Sequence, residues 1–416
     1  MAGNIAGMTT LVPRAPHPAD FPAPPSPRDL ARWAEADRAE RPVRLTKLRA
    51  RLASHGLDAY LGLRSEHMRY LTGFVLRDGE DRLAGNSGRF LVSAEEVVVL
   101  ADSRYRLQAV EQAPDARIEP TTHDLAALWP SLAAGLGARR VAVESAAISH
   151  ELWEELRLAA PEVELVAVSG WVEADRAVKT ASEIERIRAA CGVADRSLAS
   201  TLRLIKPGVT ERELAMALEW EMRTGGAEAL AFGIACLAGP NAALPHGSPS
   251  DREIEFGRVV LFDFGAMVAG YRSDMTRTLF VGDPNPRDLA VYEIVAEAQA
   301  AALALLAESV RRGGAVPTGR EVDAAARDVI EAAGHGERFG HGTGHGIGLA
   351  THELPSLGRL SPETPLPSPT VFSVEPGIYV DGETGVRIED LVLLNFEAHV
   401  MERLTTFPRE AIVVGV

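Results

Sequence analysis

Cysteine is almost missing from this chain. Only Cys191 and Cys236 occur in 416 residues, which excludes a disulfide framework and any CxxC metal or redox motif. One lies in helical-looking sequence and the other in strand-like sequence, and both read as small buried hydrophobes. A basic excess is missing too. Lys and Arg number 43 against 58 Asp and Glu, a formal net charge of −15. Nucleic acid and an anionic membrane, which both demand a basic face, are therefore excluded as main partners. No run of about 18 apolar residues occurs, and no basic segment followed by an apolar one opens the chain. Neither a membrane span nor a signal peptide is expected, and a cytoplasmic location is.

The apolar fraction of 46% is ample for buried cores, and the length suggests about two domains. Residues 1–42 include PRAPHPADFPAPPSPRD, whose proline density predicts a mobile arm, with a polar piece over 30–39 that reads as helical. Leu45, Leu48 and Leu52 then recur at helical spacing, with Gly56 as the stop. Short strand-like runs, DAYLGL, RFLVS and VVVLA, precede helical stretches at 123–136 and 149–158, which alternate with strands near 140–143 and 163–168. The alternation predicts an α/β domain over 43–170. The pattern lapses over 171–180, read as a linker, and a long helix starts at Thr180 or Ser182 to open a second domain over 181–416.

That second domain carries an internal repeat. PGVTERELAMALEWEMRTGG at 207–226 resembles PTGREVDAAARDVIEAAG at 317–334, each following a long helix and preceding strand-like sequence. Two such halves facing one another predict a pseudo-symmetric domain with a cleft.

The chemistry centres on VVLFDFGAMVAGYRSDMTRTLF, residues 259–280: two extended runs joined by a Gly-containing reversal, with Asp263 on one arm and Asp274 on the other. An ionised carboxylate among apolar strands is costly unless a cation compensates it. Either Asp274 is satisfied by Thr276 and Arg277, or the two acids hold a hard divalent metal. Glu375 in TVFSVEPGIYV and Glu389 in GVRIEDLVLL repeat the anomaly.

FGHGTGHGIGLATHELP has Gly at alternate positions from Gly340 to Gly348, so in an extended chain one face is bare backbone open to close approach. The other face presents His341 and His345, about 13 Å apart at ~3.3 Å per residue, too far to share one ion. The glycines disfavour a helical zinc pair, and their spacing does not match a dinucleotide-binding loop. Two Asp, two Glu and one imidazole suit Mn²⁺ or Co²⁺ better than a thiolate-type zinc site, and five ligands suit two ions. Two such ions would supply a nucleophilic hydroxide at neutral pH and an electrophile for an attacked carbonyl, machinery for hydrolysing an amide or ester.

FDFGAMVAGYRSDMTRT, HGTGHGIGLATHE, SVEPGIY and VRIED resemble, in order and spacing, the pita-bread metallopeptidases: aminopeptidase P, prolidase, methionine aminopeptidase and creatinase. RYLTGF, LADSRY and VKTASEIERIR resemble the amino-terminal domain and linker of the aminopeptidase P, prolidase and creatinase branch. The resemblance implies an α/β (α+β) chain, a creatinase-like first domain followed by a pseudo-symmetric pita-bread catalytic domain. It implies Asp263, Asp274, His345, Glu375 and Glu389 as ligands of two divalent ions, Mn²⁺ first with Co²⁺ or Zn²⁺ as alternatives, bridged by Asp274 and Glu389. Glu375 would also be general base for the bridging water, His246 and His352 substrate-side histidines, and Arg387 the brace of the carboxylates. His341 and Tyr379 are further substrate-side candidates, Tyr379 as a supporting donor. His55, His67 and His123 are left as surface or structural groups, while Tyr70 and Arg104 could reach a neighbouring subunit's cleft.

The implied activity is hydrolysis of Xaa-Pro bonds in a proline-containing peptide or dipeptide, by a homodimer. The amino-terminal domain argues against a plain methionine aminopeptidase, and the complete ligand set against a metal-free creatinase. A small-molecule amidohydrolase or lyase of the same fold stays open, as does a non-catalytic binding module, which would typically have lost ligands.

Overall fold

The computed structural model describes residues 15–76, 87–121 and 124–415; His123 lies outside them. The chain divides into two compact units, Ala31–Asp175 and the segment up to Leu30 together with Arg176–Val416.

Regular structure begins earlier than the arm predicted over 1–42. Helix α1 is continuous from Pro27 to Ser54. Ser26 caps it: its Oγ accepts from the Asp29 N–H at 3.2 Å, and Asp29 accepts from the Ser26 N–H at 3.0 Å. Pro27 takes the first helical position, where a missing N–H costs nothing. SPRD is thus a helix start hidden among prolines. Pro42 lies inside α1 and removes one backbone bond. The helix continues because its buried face, including Trp33, Arg44, Leu48 and Leu52, is fixed by packing.

The first unit is a mixed sheet in the order β4-β3-β2-β1-β5-β6. Its strands are β1 (Ala59–Gly62), β2 (Phe90–Ser93), β3 (Val97–Ala101), β4 (Arg117–Pro120), β5 (Arg140–Glu144) and β6 (Glu164–Val168). Helices α2 (Ser65–Thr72), α3 (Arg106–Gln112), α4 (Leu125–Gly135) and α5 (His150–Ala159) connect them. The core joins Leu61, Leu91, Val98 and Val143 to Trp129 and Leu156. The stretch predicted as an irregular linker, 171–180, contains α6 (Trp171–Ala177), too short for its periodicity to show. Tyr70 is buried beneath the Arg44 guanidinium, 4.1 Å from its ring centroid, and is therefore a core residue rather than one free to reach a neighbour. Arg104 is exposed and paired with Asp102 at 2.8 Å. His55 is exposed beside Trp171, while His67 is fully buried, 2.6 Å from Glu144.

The second unit is built from two similar halves. The first contributes α7 (Ala181–Thr201), α8 (Glu211–Thr224), β7 (Ala229–Leu230), β8 (Ala235–Ala238), β9 (Val259–Phe264), β10 (Ala266–Val268), β11 (Tyr271–Arg272) and β12 (Met275–Val281). The second contributes α9 (Pro286–Arg312), α10 (Gly319–Ala332), β13 (Gly344–Gly346), β14 (Glu353–Leu357), β15 (Thr370–Val374), β16 (Gly377–Val380), β17 (Thr384–Arg387), β18 (Asp390–Asn395) and β19 (Val400–Arg403), with β20 (Val413–Val414) returning to β12. The main sheets run β20-β12-β9-β8 and β14-β13-β15-β18-β19.

The repeat is visible in detail. Thr210 and Glu213 form a capping box on α8, as Thr318 and Glu321 do on α10. Each capping Thr also bridges to a loop of its own half, Thr210 to Glu253 and Thr318 to Pro365. Helix α9 has the length and apolarity of a membrane-crossing helix, but Val291, Val295, Ala298, Ala302 and Leu306 are buried in the core against both main sheets. Cys191 on α7 and Cys236 on β8 are buried and free. Before α1, Phe21 stacks on Phe407 with ring centroids 5.7 Å apart, so part of the proline-rich stretch packs on this unit.

Candidate active site

The paired acids arise from the β9–β12 pairing, in which Asp263 stands opposite Thr276 and Phe264 opposite Met275. Gly265 follows Asp263 because a Cβ there would lie 1.9 Å from the Ser273 carbonyl oxygen. The reversal between β10 and β11 places Ala269 and Gly270 in the left-handed region, at φ 47° and 85°. Asp274 precedes β12 and is buried.

The alternating-glycine segment forms only a three-residue strand, β13, with a bulge between His345 and Gly346. The expectation of a bare face approached by other chain segments holds. A Cβ on Gly344 would meet the Ser373 carbonyl oxygen at 1.9 Å, and one on Gly346 the Leu354 oxygen at 2.1 Å. His345, between them, points into the same space as the acids. The β16–β17 hairpin pairs Gly377 with Arg387 and so sets Glu375 and Glu389 at adjoining strand ends.

Asp274, His345 and Glu389 each offer a ligand atom within 4.8 Å of the others. His345 Nε2 lies 3.7 Å from Asp274 and 3.3 Å from Glu375. One oxygen of Asp263 and one of Glu389 are buried with no protein partner. Burial, and then the neighbouring carboxylates, push Asp274 and Glu389 well above the ordinary carboxylate range, and burial raises Glu375 as well. Four crowded acids, two of them with an orphaned oxygen, and one imidazole form an anionic nest short of positive charge, and this donor set fits divalent metal ions.

The resident cation is Arg387. Burial opposes its charge, but Tyr379, Asp263, Glu375 and Glu389 hold the proton on. Its Nη2 donates to Asp263 at 2.5 Å, its Nη1 to the Tyr379 hydroxyl at 2.7 Å and its Nε to Thr276 Oγ1 at 2.9 Å. Arg277, weighed as a partner for Asp274, is engaged elsewhere. It donates to Asp390 at 2.7 Å and to the carbonyls of Glu389, Phe407 and Pro408. Thr276 likewise donates to Glu389 rather than Asp274.

All five candidate ligands line one cavity of about 680 Å³, together with His246, His341, His352 and Arg387. Phe232, Ile234 and Pro245 add an apolar wall. His246 and His352 are exposed at the cavity, and the His352 ring lies 4.1 Å from that of His345. Burial lowers the pKa of His352, and His345 lowers it further; burial also lowers His341. His341 and His345 do not share a ligand cluster: His341 Nε2 is 2.8 Å from the Tyr379 hydroxyl. Tyr379, expected among the substrate-binding residues, is not one of the cavity's lining residues. Its hydroxyl sits between Arg387 and His341, as a supporting donor behind the wall.

The sequence reading missed the groups that hold these side chains. Ser373 bonds Glu375 at 2.9 Å and accepts from the His345 N–H at 3.0 Å. Asp323 accepts from both the N–H and hydroxyl of Thr343 at 2.9 Å, and Arg327 donates to the carbonyls of Phe339 and His341. Glu353 is buried with Lys179 at 2.9 Å and with Arg176. Of these, only Glu353, adjoining His352, had a local signal.

Residues 185–395 match the family model for metallopeptidase family M24, and residues 44–178 that for the creatinase/prolidase N-terminal domain. A Bacillus subtilis protein named uncharacterized peptidase YqhT is 34% identical over 372 residues, covering 89% of this chain and 100% of that protein. Among solved structures, an Xaa-Pro dipeptidase from Bacillus anthracis is 37% identical with a TM-score of 0.79, over 89% of this chain and 99% of that one. An X-Pro aminopeptidase from Thermotoga maritima is 34% identical with a TM-score of 0.78, over the same shares.

Proposed function

Because the chain belongs to metallopeptidase family M24, we propose that it hydrolyses the bond preceding proline in Xaa-Pro peptides, using two divalent metal ions. The observation that carries this reading is the convergence of Asp263, Asp274, His345, Glu375 and Glu389 in one cavity, with buried carboxylate oxygens lacking partners. The names of the two solved neighbours, one a dipeptidase and one an aminopeptidase, support the Xaa-Pro part of it.

The five residues would hold the ions, and their oxygen-rich character favours manganese or cobalt. When bound, the ions supply Lewis acidity and make water a stronger acid near neutral pH. Glu375, fixed by Ser373, takes the proton from the attacking water and returns it to the leaving nitrogen. His352, whose pKa is lowered, acts as a neutral N–H donor toward the scissile carbonyl, with His246 on the same cavity wall. Arg387 fixes Asp263 and, through Thr276, Glu389. The apolar wall of Phe232, Ile234 and Pro245 suits a pyrrolidine ring.

The test is cleavage of Gly-Pro-type dipeptides and of longer Xaa-Pro-Yaa peptides by manganese-loaded protein, with and without chelator. Dipeptide cleavage alone indicates prolidase specificity, and cleavage of the longer peptides indicates aminopeptidase P specificity. No cleavage of either refutes the peptide-bond reading.

A further inference from the structure

The loop that carries His246 has both feet on a single side chain. Glu211, at the first turn of α8, is fully buried. Its Oε1 accepts from the Ala238 N–H at 2.6 Å and from Asn241 Nδ2 at 3.0 Å. Its Oε2 accepts from the Ser250 N–H at 2.9 Å and the Ser250 hydroxyl at 2.6 Å. Asn241 opens the loop and Ser250 closes it. Pro245, His246, Gly247, Ser248 and Pro249 between them line the cavity.

No salt bridge to Glu211 occurs among the described residues, so what offsets the cost of burying this carboxylate is the Ala238 N–H at the end of β8, the donors of Asn241 and Ser250 in the loop, and the helix N-terminus on which it stands. The dependence runs both ways. Inside the loop the backbone bonds are local turns, Leu244 N–H to Asn241 and Gly247 N–H to Leu244, at 2.9 and 3.1 Å. These shape the loop without anchoring it; besides Glu211, the Arg212 N–H donates to the Ser250 carbonyl at 3.1 Å and Arg387 Nη1 to the Pro245 carbonyl at 3.5 Å. His246 itself is exposed and stands on the stretch between the two anchored feet.

The other half solves the same problem differently. On α10 the buried Asp323 grips Thr343, between His341 and His345, but it shares the task with Arg327. Glu211 has no such cationic helper among the described residues.

We infer that Glu211 is a positioning residue for His246, holding the loop 241–250 so that this imidazole faces the scissile carbonyl. The inference rests on the proposed peptidase reading for the consequence in catalysis, but its structural half can be measured without any substrate.

The experiment compares full-length Glu211→Gln, Ser250→Ala and His246→Ala proteins, and the Glu211→Gln/His246→Ala double variant, for Xaa-Pro peptide cleavage, bound metal and amide hydrogen exchange over 239–250. Glu211→Gln is expected to lower kcat/KM about ten- to a hundredfold with bound metal unchanged and with faster exchange confined to the loop. Added to His246→Ala, the same substitution is expected to cost less than about threefold, because the side chain being positioned is gone. Ser250→Ala, which removes one donor and leaves the acid, moves every readout in the same direction by less, and it carries the test if Glu211→Gln does not fold. Equal losses from Glu211→Gln with and without His246 overturn the inference, as does unchanged exchange over 239–250. If the parent cleaves no Xaa-Pro peptide, the peptidase reading fails by itself, and exchange over 239–250 alone then decides whether Glu211 holds the loop.

Discussion

Thr276 Oγ1 donates to Glu389 Oε2 at 2.7 Å, while the other oxygen of that carboxylate is buried without a protein partner. One lone-pair face of Glu389 is thus fixed and the other left open toward the cavity. Thr276→Val keeps the shape and removes the donor, leaving Arg387 Nε unpaired as well. The expected result is a tenfold to hundredfold loss of divalent-metal affinity, read by competition with a chromophoric chelator, with Thr276→Ser near the parent. A Val variant that binds metal as tightly as the parent would show that this bond does not orient Glu389.

Metal should stabilise the fold most where the acids are ionised. With no ion, Asp274, Glu375 and Glu389 are pushed upward by burial and then by neighbouring acids, Asp263 among them, so their protonated forms favour the native state and that contribution is lost as pH rises through their folded values. Manganese removes the repulsion, and its binding requires deprotonated ligands. The thermal midpoint is therefore expected to rise on adding manganese, and to rise more at pH 8 than at pH 5. An equal rise at both pH values would count against these acids as the ligands.

Much of this site was legible because buried acids interrupt apolar strands. Asp263, Asp274, Glu375 and Glu389 stood out by their neighbours alone, and the capping boxes at Thr210 and Thr318 gave the repeat. The supports were not legible, since their partners are distant in sequence. Glu211 reads as an ordinary helix-start acid, yet it bonds Ala238, Asn241 and Ser250. Arg277 looked like a neighbour of Asp274 but points to Asp390 and the carbonyls of Phe407 and Pro408. The start of α1 was obscured for another reason: proline density outweighed the Ser26–Asp29 cap, although Pro27 belongs to that cap.

The stacking of Phe21 on Phe407 lies before residue 44, where the match to the creatinase/prolidase domain begins. Phe407 is fully buried, and its carbonyl holds Arg277. Phe21→Ala should destabilise the catalytic unit by about 1 kcal/mol, the scale of an aromatic pair. Chemical denaturation measures the loss, and faster proteolysis before Pro27 should accompany it. A variant with parental stability and cleavage would mean that the stack contributes nothing in solution.

Asp195 offers a pH-dependent test away from the metal site. It is buried on α7, and one oxygen accepts from the Thr406 N–H and hydroxyl, each at 2.7 Å, while the other has no partner. Burial raises its pKa to about 6. Below about pH 4 it is protonated in both the folded and unfolded states and costs nothing. Between about 4 and 6 the unfolded chain releases the proton while the folded one retains it, so stability falls as pH rises; above about 6 the cost is complete. Asp195→Asn keeps an acceptor for Thr406 and removes the charge. It should stabilise the protein by about 1–3 kcal/mol at pH 7.5, little at pH 4, and flatten the parent's stability profile between these values. Denaturant unfolding across that range checks it, and a variant whose difference from the parent is the same at pH 4 and pH 7.5 would show that Asp195 is not the titrating group.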